Sequence, residues 1–340
     1  MIILGGVSVT DRFRALVVDK SDASFSVEIK EMTLDELPPG EVTIRVAWSG
    51  VNYKDGLAGI PDGRILETYP LIPGIDLAGT VIHSSDSRFK EGEEVIVASA
   101  ELGVSHNGGF SEMARVPGDW VIPLPEGLTL KEAMVLGTAG FTAAMSIQRM
   151  EENGLKPEKG PVLVAGATGG VGSTAVAMLA KRGYTVAAGT GKADVQDYLR
   201  RLGAAEILPR EELTNPKQRP LLKSRWAGAV DPVGGETLSY LLSTMKFGGS
   251  VALSGLAGGG KFASTVYPFI LRGVNLLGID SAHVSNAYRR KVWHRLATDL
   301  KPEGLLDWIG AEEITLDDLP AAMSTILQGG VRGRKLVKLS

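Results

Sequence analysis

The stretch that decides the fold is VLVAGATGGVGSTAVAMLAKRG, residues 162–183. A short β-branched apolar run ends at Gly166, a turn holds Gly169, Gly170 and Gly172, and an apolar helical pattern follows. Dinucleotide binding needs this order. A buried parallel strand delivers the chain to a turn tight enough for backbone N–H groups to meet a pyrophosphate, and a helix N-terminus points at the same charge. Glycine-rich loops are common, so the flanking strand and helix are what give the pattern its meaning.

Downstream of this unit, strands and helices alternate. YTVAAGT (184–190) precedes ADVQDYLRRLG (193–203), AEILP (205–209) follows, and WAGAVDPVGG (226–235) leads into ETLSYLLSTM (236–245). GGSVALSGLAG (248–258) comes before YPFILRG (267–273), and VNLLGID (274–280) before NAYRRKVWHRLATDL (286–300). About six strands in this order predict an α/β, doubly wound parallel sheet of the Rossmann kind. Upstream the texture is β-rich: FRALVV (13–18), VTIRVAW (42–48), DLAGTVIH (76–83), EEVIVAS (93–99), FSEMARV (110–116) and WVIPLP (120–125) are candidate strands. Their close spacing predicts an irregular barrel or sandwich. The helical pattern KEAMVLGTAGFTAAMSIQRMEE (131–152) joins the halves, and the last segment (312–339) ends in a strand that can return to the first. We therefore expect a barrel domain of 13–136 with 303–340, a Rossmann domain of 137–302, and an N-terminal extension of 1–12.

With 340 residues, two domains are natural. The net charge of −3 and scattered Lys and Arg leave no electrostatic footprint for nucleic acid or an anionic membrane. No apolar run approaches a membrane span, and MIILGGVSVTDRF lacks the marks of a signal peptide. The absence of cysteine excludes disulfides, a thiol nucleophile and thiolate metal ligands. It also fits a cytoplasmic location.

NAD sites usually carry an acid about 20 residues beyond the glycines, bonded to the ribose. Here the second strand ends in Thr190-Gly191-Lys192. Small residues leave room for a 2′-phosphate, Thr190 can donate to it and Lys192 can pair with it, which favours NADPH. Asp194 stands nearby as the expected cap of the next helix, and Arg210 is a candidate second cation. The four histidines (His83, His106, His283, His294) are dispersed and read as structural, with His106 on the loop GVSHNGG (103–109) as the one to watch.

From Phe13 to Ser340 this layout resembles the medium-chain dehydrogenase/reductase superfamily, whose first domain is a GroES-like irregular barrel. Zinc members of that superfamily bind their metal through an early Cys and the His of a GHE motif. GVNYKDG (50–56) and PGIDLAG (73–79) stand there instead, so Asn52 and Ile75 occupy the ligand positions, and neither can replace thiolate or imidazole around zinc. With GTAGFTAA, YLRRLGA, GLAGG and PFILRGVNLLGID, the chain resembles the zinc-free, NADPH-dependent acrylyl-CoA reductase group, often labelled quinone oxidoreductases. The resemblance implies hydride transfer to the β-carbon of an α,β-unsaturated acyl-CoA, with acryloyl-CoA becoming propionyl-CoA.

In such a site preorganised donors must replace the metal in stabilising the enolate. The resemblance places Asn52 and Tyr53 on the loop facing the nicotinamide. Asn52 offers an amide donor; Tyr53 offers a phenol to bond the cofactor or to protonate the α-carbon. Lys54 and Asp55 could relay or orient, while the plainer reading of Asn52, Lys54 and Asp55 is a helix start. The resemblance further implies Thr168, Gly169, Gly170 and Val171 at the pyrophosphate, Leu256 and Ile270 near the nicotinamide half, and Ser281 and Arg334 toward the cofactor. It also implies a homodimer paired through VNLLGID. An NADPH quinone or enone reductase, and a non-catalytic NADPH-binding protein, are the alternatives.

Overall fold

The computed structural model describes residues 3–4, 7–8 and 12–340. Most of the expected 1–12 extension lies outside the described residues; within it β1 (Ile3–Leu4) pairs antiparallel with β2 (Val7–Ser8). The chain divides into two compact units. The first holds the described residues up to Thr138 with Ala282–Arg290 and Gly310–Ser340, and the second holds Ala139–Ser281 with Lys291–Ile309. Three segments thus differ from the sequence expectation: 137–138 and 282–290 belong with the first unit and 303–309 with the second.

In the first unit, β3 (Arg12–Lys20) and β4 (Phe25–Thr33) form a nine-residue antiparallel ribbon. β4 was not among the expected strands, although FSVEIK alternates apolar and polar residues; its Val27, Ile29 and Met32 are half-buried against the core. Then come β5 (Val42–Val51), α1 (Tyr53–Ala58), β6 (Asp76–Ser84), β7 (Glu94–Ala98), β8 (Met113–Val116) and β9 (Ile122–Pro123). The helical segment α2 (Leu130–Glu152) is broken at Gly137, whose φ of 48° and ψ of −155° are non-helical. That break stands at the end of the first unit.

The second unit carries β10 (Val162–Val164), α3 (Gly170–Lys181), β11 (Val186–Thr190), α4 (Gln196–Arg201), β12 (Glu206–Pro209) and β13 (Trp226–Asp231). It continues with α5 (Gly235–Thr244), β14 (Met245–Leu253), α6 (Tyr267–Arg272) and β15 (Asn275–Gly278). α7 (Asn286–Ala297) starts in the first unit and ends in the second, where α8 (Leu305–Trp308) follows. Its six strands are all parallel in the order β12-β11-β10-β13-β14-β15. Strand order reverses between β10 and β13, the place where open parallel sheets bind ligands. β10, β11 and β13 are buried along their whole length, as strands covered on both faces must be. Trp226, Leu241, Met245 and Val251 pack the core between sheet and helices.

The chain then returns to the first unit with β16 (Ala311–Ile314), α9 (Leu319–Leu327) and β17 (Arg334–Lys338). β17 pairs antiparallel with β5, so the sheet runs β16-β17-β5-β6-β7-β9 with β8 also on β5. Register is what makes the site. Antiparallel pairing sets Lys335 opposite Val51 and Asp76 opposite Ala98, so the end of β5, the starts of β6 and β17, and the end of β7 share one edge of the sheet.

Candidate active site and cofactor cradle

Asp76, fully buried at the start of β6, is the centre of that edge. Its Oδ2 accepts hydrogen bonds from Asn52 Nδ2 (2.7 Å) and Arg334 Nη2 (3.4 Å), and its Oδ1 from Thr138 Oγ1 (2.6 Å) and the Thr138 backbone N–H (2.9 Å). Arg334 is 2% exposed. Its other donors go to Asn52 Oδ1 (2.9 Å) and the backbone oxygens of Val51 and Val135 (3.2 Å each). The amide orientation follows from its neighbours: a guanidinium can only donate, so it faces Oδ1, and the carboxylate faces the Nδ2 protons. Two glycines make room. A Cβ on Gly50 would lie 2.6 Å from Arg334 Nη2, and one on Gly137 would lie 2.6 Å from Asp76 Oδ2.

Asp55 fixes the loop from the other side. Its Oδ2 accepts the Asn52 N–H (2.7 Å) and its Oδ1 the Ile75 N–H (3.0 Å). Burial raises its pKa to about 7; the bond from the Asn52 backbone pulls it down, the charge of Asp76 pushes it up again, and the bond from Ile75 pulls it down. Burial likewise lowers the Arg334 pKa, against the attraction of Asp76 and Asp55.

This geometry changes three sequence expectations. Asn52 does not offer a spare amide donor, because both Nδ2 protons are spent on Asp76 and on Gly50 O (3.2 Å). Arg334 is not a surface cation reaching for cofactor but a buried clamp on Asn52 and Asp76. Asn52 does cap α1 with Asp55 in its first turn, as the plainer reading has it, but Asp55 is 1% exposed rather than solvated. Tyr53 at the first position of α1 is 44% exposed, and Lys54 beside it is half-buried. Sequence reasoning missed Asp76 and Thr138 altogether. An acid opening the apolar strand DLAGTVI was the available signal for Asp76, since acids are rarely buried unless paired.

In the second unit the glycine loop is as tight as expected. A Cβ on Gly172 would lie 2.2 Å from Gly166 O, and Gly166 has a φ of 56°. Thr168 is buried, Gly169 caps α3, and Gly170 and Val171 open it with their N–H groups on the first turn. Thr190 Oγ1 accepts the Lys192 backbone N–H (3.1 Å). β11 and β12 run side by side with Thr190 opposite Pro209, which brings Arg210 over Gly191: a Cβ there would lie 2.3 Å from Arg210 Nη2. Thr190, Gly191, Lys192 and Arg210 therefore form one group, and they fit a 2′-phosphate. Asp194 is not the helix cap; α4 starts at Gln196 with Val195 before it. Leu256 and Ile270 are 67% and 68% exposed, which removes core packing as their role, and Ser281 is half-buried.

Among the described residues no three His, Asp or Glu groups converge in a way that could hold a metal. His106 packs edge-on against Trp120 with ring centroids 5.1 Å apart and its Nδ1 on Asn107 O, while His283 faces Glu101 at 3.4 Å. Where zinc relatives would bring a thiolate and an imidazole, Ile75 has no donor atom and the Asn52 amide is committed, so these residues do not fit zinc.

Residues 38–126 match the alcohol dehydrogenase GroES-like domain and 170–298 the zinc-binding dehydrogenase domain. The acrylyl-CoA reductase AcuI of Ruegeria pomeroyi is 50% identical over 330 residues, 96% of this chain and 99% of its own. This chain belongs to the medium-chain dehydrogenase/reductase superfamily. Among solved structures of that superfamily, Bacillus subtilis protein YhfP with NAD bound is 56% identical with a TM-score of 0.94, over 97% of this chain and all of its own. The Salmonella enterica YhdH oxidoreductase in complex with NADP is 46% identical with a TM-score of 0.93, over 96% of this chain and all of its own. Both halves of the expected architecture, a Rossmann-like parallel sheet and a GroES-like domain, are present.

Proposed function

We propose that this protein is a zinc-independent, NADPH-dependent reductase of α,β-unsaturated acyl-CoA thioesters that converts acryloyl-CoA to propionyl-CoA. The observation that carries this reading is the Asn52–Asp76–Arg334 cluster, which commits Asn52, at one of the two metal-ligand positions, to Asp76 and Arg334 and leaves Tyr53 exposed at the head of α1. Half-identity to a relative named acrylyl-CoA reductase supports the substrate class.

The cofactor-binding role falls to Thr168, Gly169, Gly170 and Val171 at the pyrophosphate and to Thr190, Gly191, Lys192 and Arg210 at the 2′-phosphate. Leu256, Ile270 and Ser281 face the nicotinamide half. Bound NADPH supplies a hydride to the substrate β-carbon. With the Asn52 protons committed, the Tyr53 phenol is an exposed donor on this loop, and we assign it to the thioester oxygen, where charge develops. Asn52 and Asp55 hold the loop through their bonds to Asp76, Arg334 and Ile75, and Lys54 lies beside them. The four-residue edge strand β15, with β14 as its single neighbour in the sheet, supports pairing of two copies into a homodimer.

The second reading, reduction of a quinone or small enone, has its support in a 56% identity over 96% of this chain to the Bacillus subtilis protein named "Putative quinone oxidoreductase YhfP". Following NADPH oxidation with acryloyl-CoA and with a quinone in parallel tests both. Turnover on the thioester alone is expected. Turnover on the quinone alone overturns the proposal, and tight NADPH binding without turnover on either means a non-catalytic binder.

A further inference from the structure

The glycine loop and Thr190 lie at the carboxyl ends of the parallel strands of the second unit. Toward the opposite end of the same sheet, a cavity of about 340 Å³ opens between the start of β13, a bulge in β14 and the segment that leads from α2 into β10. Trp226 pairs with Met245 and Gly228 with Ser250, so Ala227 alone faces four residues, 246–249, that leave the ladder. Bulges of this kind re-aim side chains. This one turns Phe247 out to 84% exposure and brings Lys246 across to Lys159 in the turn Pro157–Lys159. Ala227 lies roughly 13 Å from the Asp231 end of its strand, at about 3.3 Å per residue, which separates the cavity from the cofactor cradle.

The polar side chains on its wall have donors to spare. Lys246 Nζ gives one proton to Lys159 O (3.1 Å) and keeps two. Its position depends on a glycine, since a Cβ on Gly160 would lie 2.3 Å from that nitrogen. Among the described residues neither Lys246 nor Lys159 is in an ion pair. Ser250, 2% exposed, accepts from Asn153 Nδ2 (2.8 Å), and its own hydroxyl proton has no acceptor among the described residues. Two cations and a buried hydroxyl with a free proton fit the oxygens of an anion. Leu155 and Ala227 add a buried apolar wall, and the Phe247 ring stands open beside them. An exposed aromatic face of that kind takes a flat ring.

We propose that this cavity binds a mononucleotide, with its phosphate on Lys159, Lys246 and Ser250 and its base stacked on Phe247. Each half of the ligand has its counterpart on the wall. An anion alone would leave the Phe247 ring in water, and a neutral ring alone would leave both ammonium groups without a counter-charge. The volume lies at the small end of ligand pockets, roughly 300–1,000 Å³, which suits a mononucleotide rather than a second dinucleotide. No covalent bond is made or broken there. The site does not depend on which substrate the protein reduces, so it stands apart from the reductase reading.

The test is calorimetric titration of the full chain with AMP, adenosine and inorganic phosphate, after NADPH has saturated the cofactor cradle. Saturation keeps AMP from reporting on the adenine half of that cradle. AMP should bind about tenfold more tightly than phosphate or adenosine, and its affinity should fall as salt rises. Lys246→Met keeps the stem, removes the charge and should weaken AMP roughly tenfold, the worth of a charge-assisted hydrogen bond. Phe247→Ser, at a position where no core packing is lost, should also weaken AMP about tenfold, the value of stacking one base, and leave phosphate unchanged. Both variants should keep the wild-type melting temperature and NADPH affinity. If Lys246→Met lowers the melting temperature, Phe247→Ser decides. Absence of AMP binding at millimolar concentration overturns the proposal, as does AMP binding that a well-folded variant leaves unchanged. Phosphate that binds as tightly as AMP overturns it as well, because the ring then contributes nothing. A protein inert toward every enoyl thioester that binds AMP in this way keeps the site and loses only the reductase reading.

Discussion

The molecule carries two charged clusters built on opposite principles. Around Asp76 in the first unit, a guanidinium and two carboxylates are shut away from water and every donor has a named partner. Around Thr190 in the second unit, Lys192 and Arg210 sit at the ends of parallel strands with much of their surface open. Burial makes the first group indispensable to its neighbours, because an unpaired charge there has no solvent to fall back on. Exposure makes the second group tunable, because water screens each cation and no single one carries the site. One cluster sets geometry, and the other is proposed to select the cofactor.

The sharpest way to break that contrast is to remove the buried cation. Arg334→Met leaves Asp76 and Asp55 without their counter-charge and should cost about 3–5 kcal/mol in chemical denaturation. The pH dependence has a defined sign. Asp55 is raised from 3.8 to about 7 in the folded chain, so between those values the folded state binds more protons than the unfolded state. Stability therefore falls as pH rises through that window. Without Arg334 the carboxyl is pushed up further, and the fall should continue above pH 7. A loss under 1 kcal/mol with an unchanged pH profile would mean that the guanidinium merely fills space.

In the second cluster the largest response should come from reversing a charge. Lys192→Glu places an anion where the 2′-phosphate is proposed to bind. The KM for NADPH should rise roughly 10–100-fold, the worth of a charged hydrogen bond, while that for NADH stays nearly constant. Equal effects on both cofactors would remove the phosphate from this group. Tyr53→Phe lies between the two clusters in consequence. It deletes one exposed hydroxyl from the loop that the buried cluster holds, and turnover should fall about tenfold. An unchanged rate would leave the phenol as packing and place the oxyanion donor elsewhere.

The two clusters also differed in how far they could be read beforehand. Thr190, Gly191 and Lys192 lie in one strand end, a fixed distance past a glycine loop, so local order in the sequence carries their meaning. The same locality made the strands of the parallel sheet visible as apolar runs. The Asp76 cluster is assembled by antiparallel register from Asn52, Asp76, Thr138 and Arg334, up to 282 positions apart. No local pattern marks Arg334 as buried, because RGRKLV reads like any surface turn entering a strand. Asn52 was placed on the right loop but given the wrong task, since its neighbours in space, which decide where an amide can donate, are far away in sequence. β4 was missed although FSVEIK carries the apolar–polar alternation that marks a strand; Val27, Ile29 and Met32 are half-buried against the core.

The smallest effect is the most discriminating for the open cluster. Arg210 lies over Gly191, so close that a Cβ there would collide with the guanidinium. The lack of a Cβ at Gly191 is what leaves room for it. Arg210→Ala should weaken NADPH by only about two- to fivefold, the value of an exposed cation, and leave NADH untouched. The double variant with Lys192→Glu then separates two arrangements. If both cations hold one phosphate, removing Arg210 should matter less once Lys192 is reversed, because the phosphate is already displaced. If the losses simply multiply, Arg210 acts on another part of the cofactor, with the adenine ring as the group its flat guanidinium would cover.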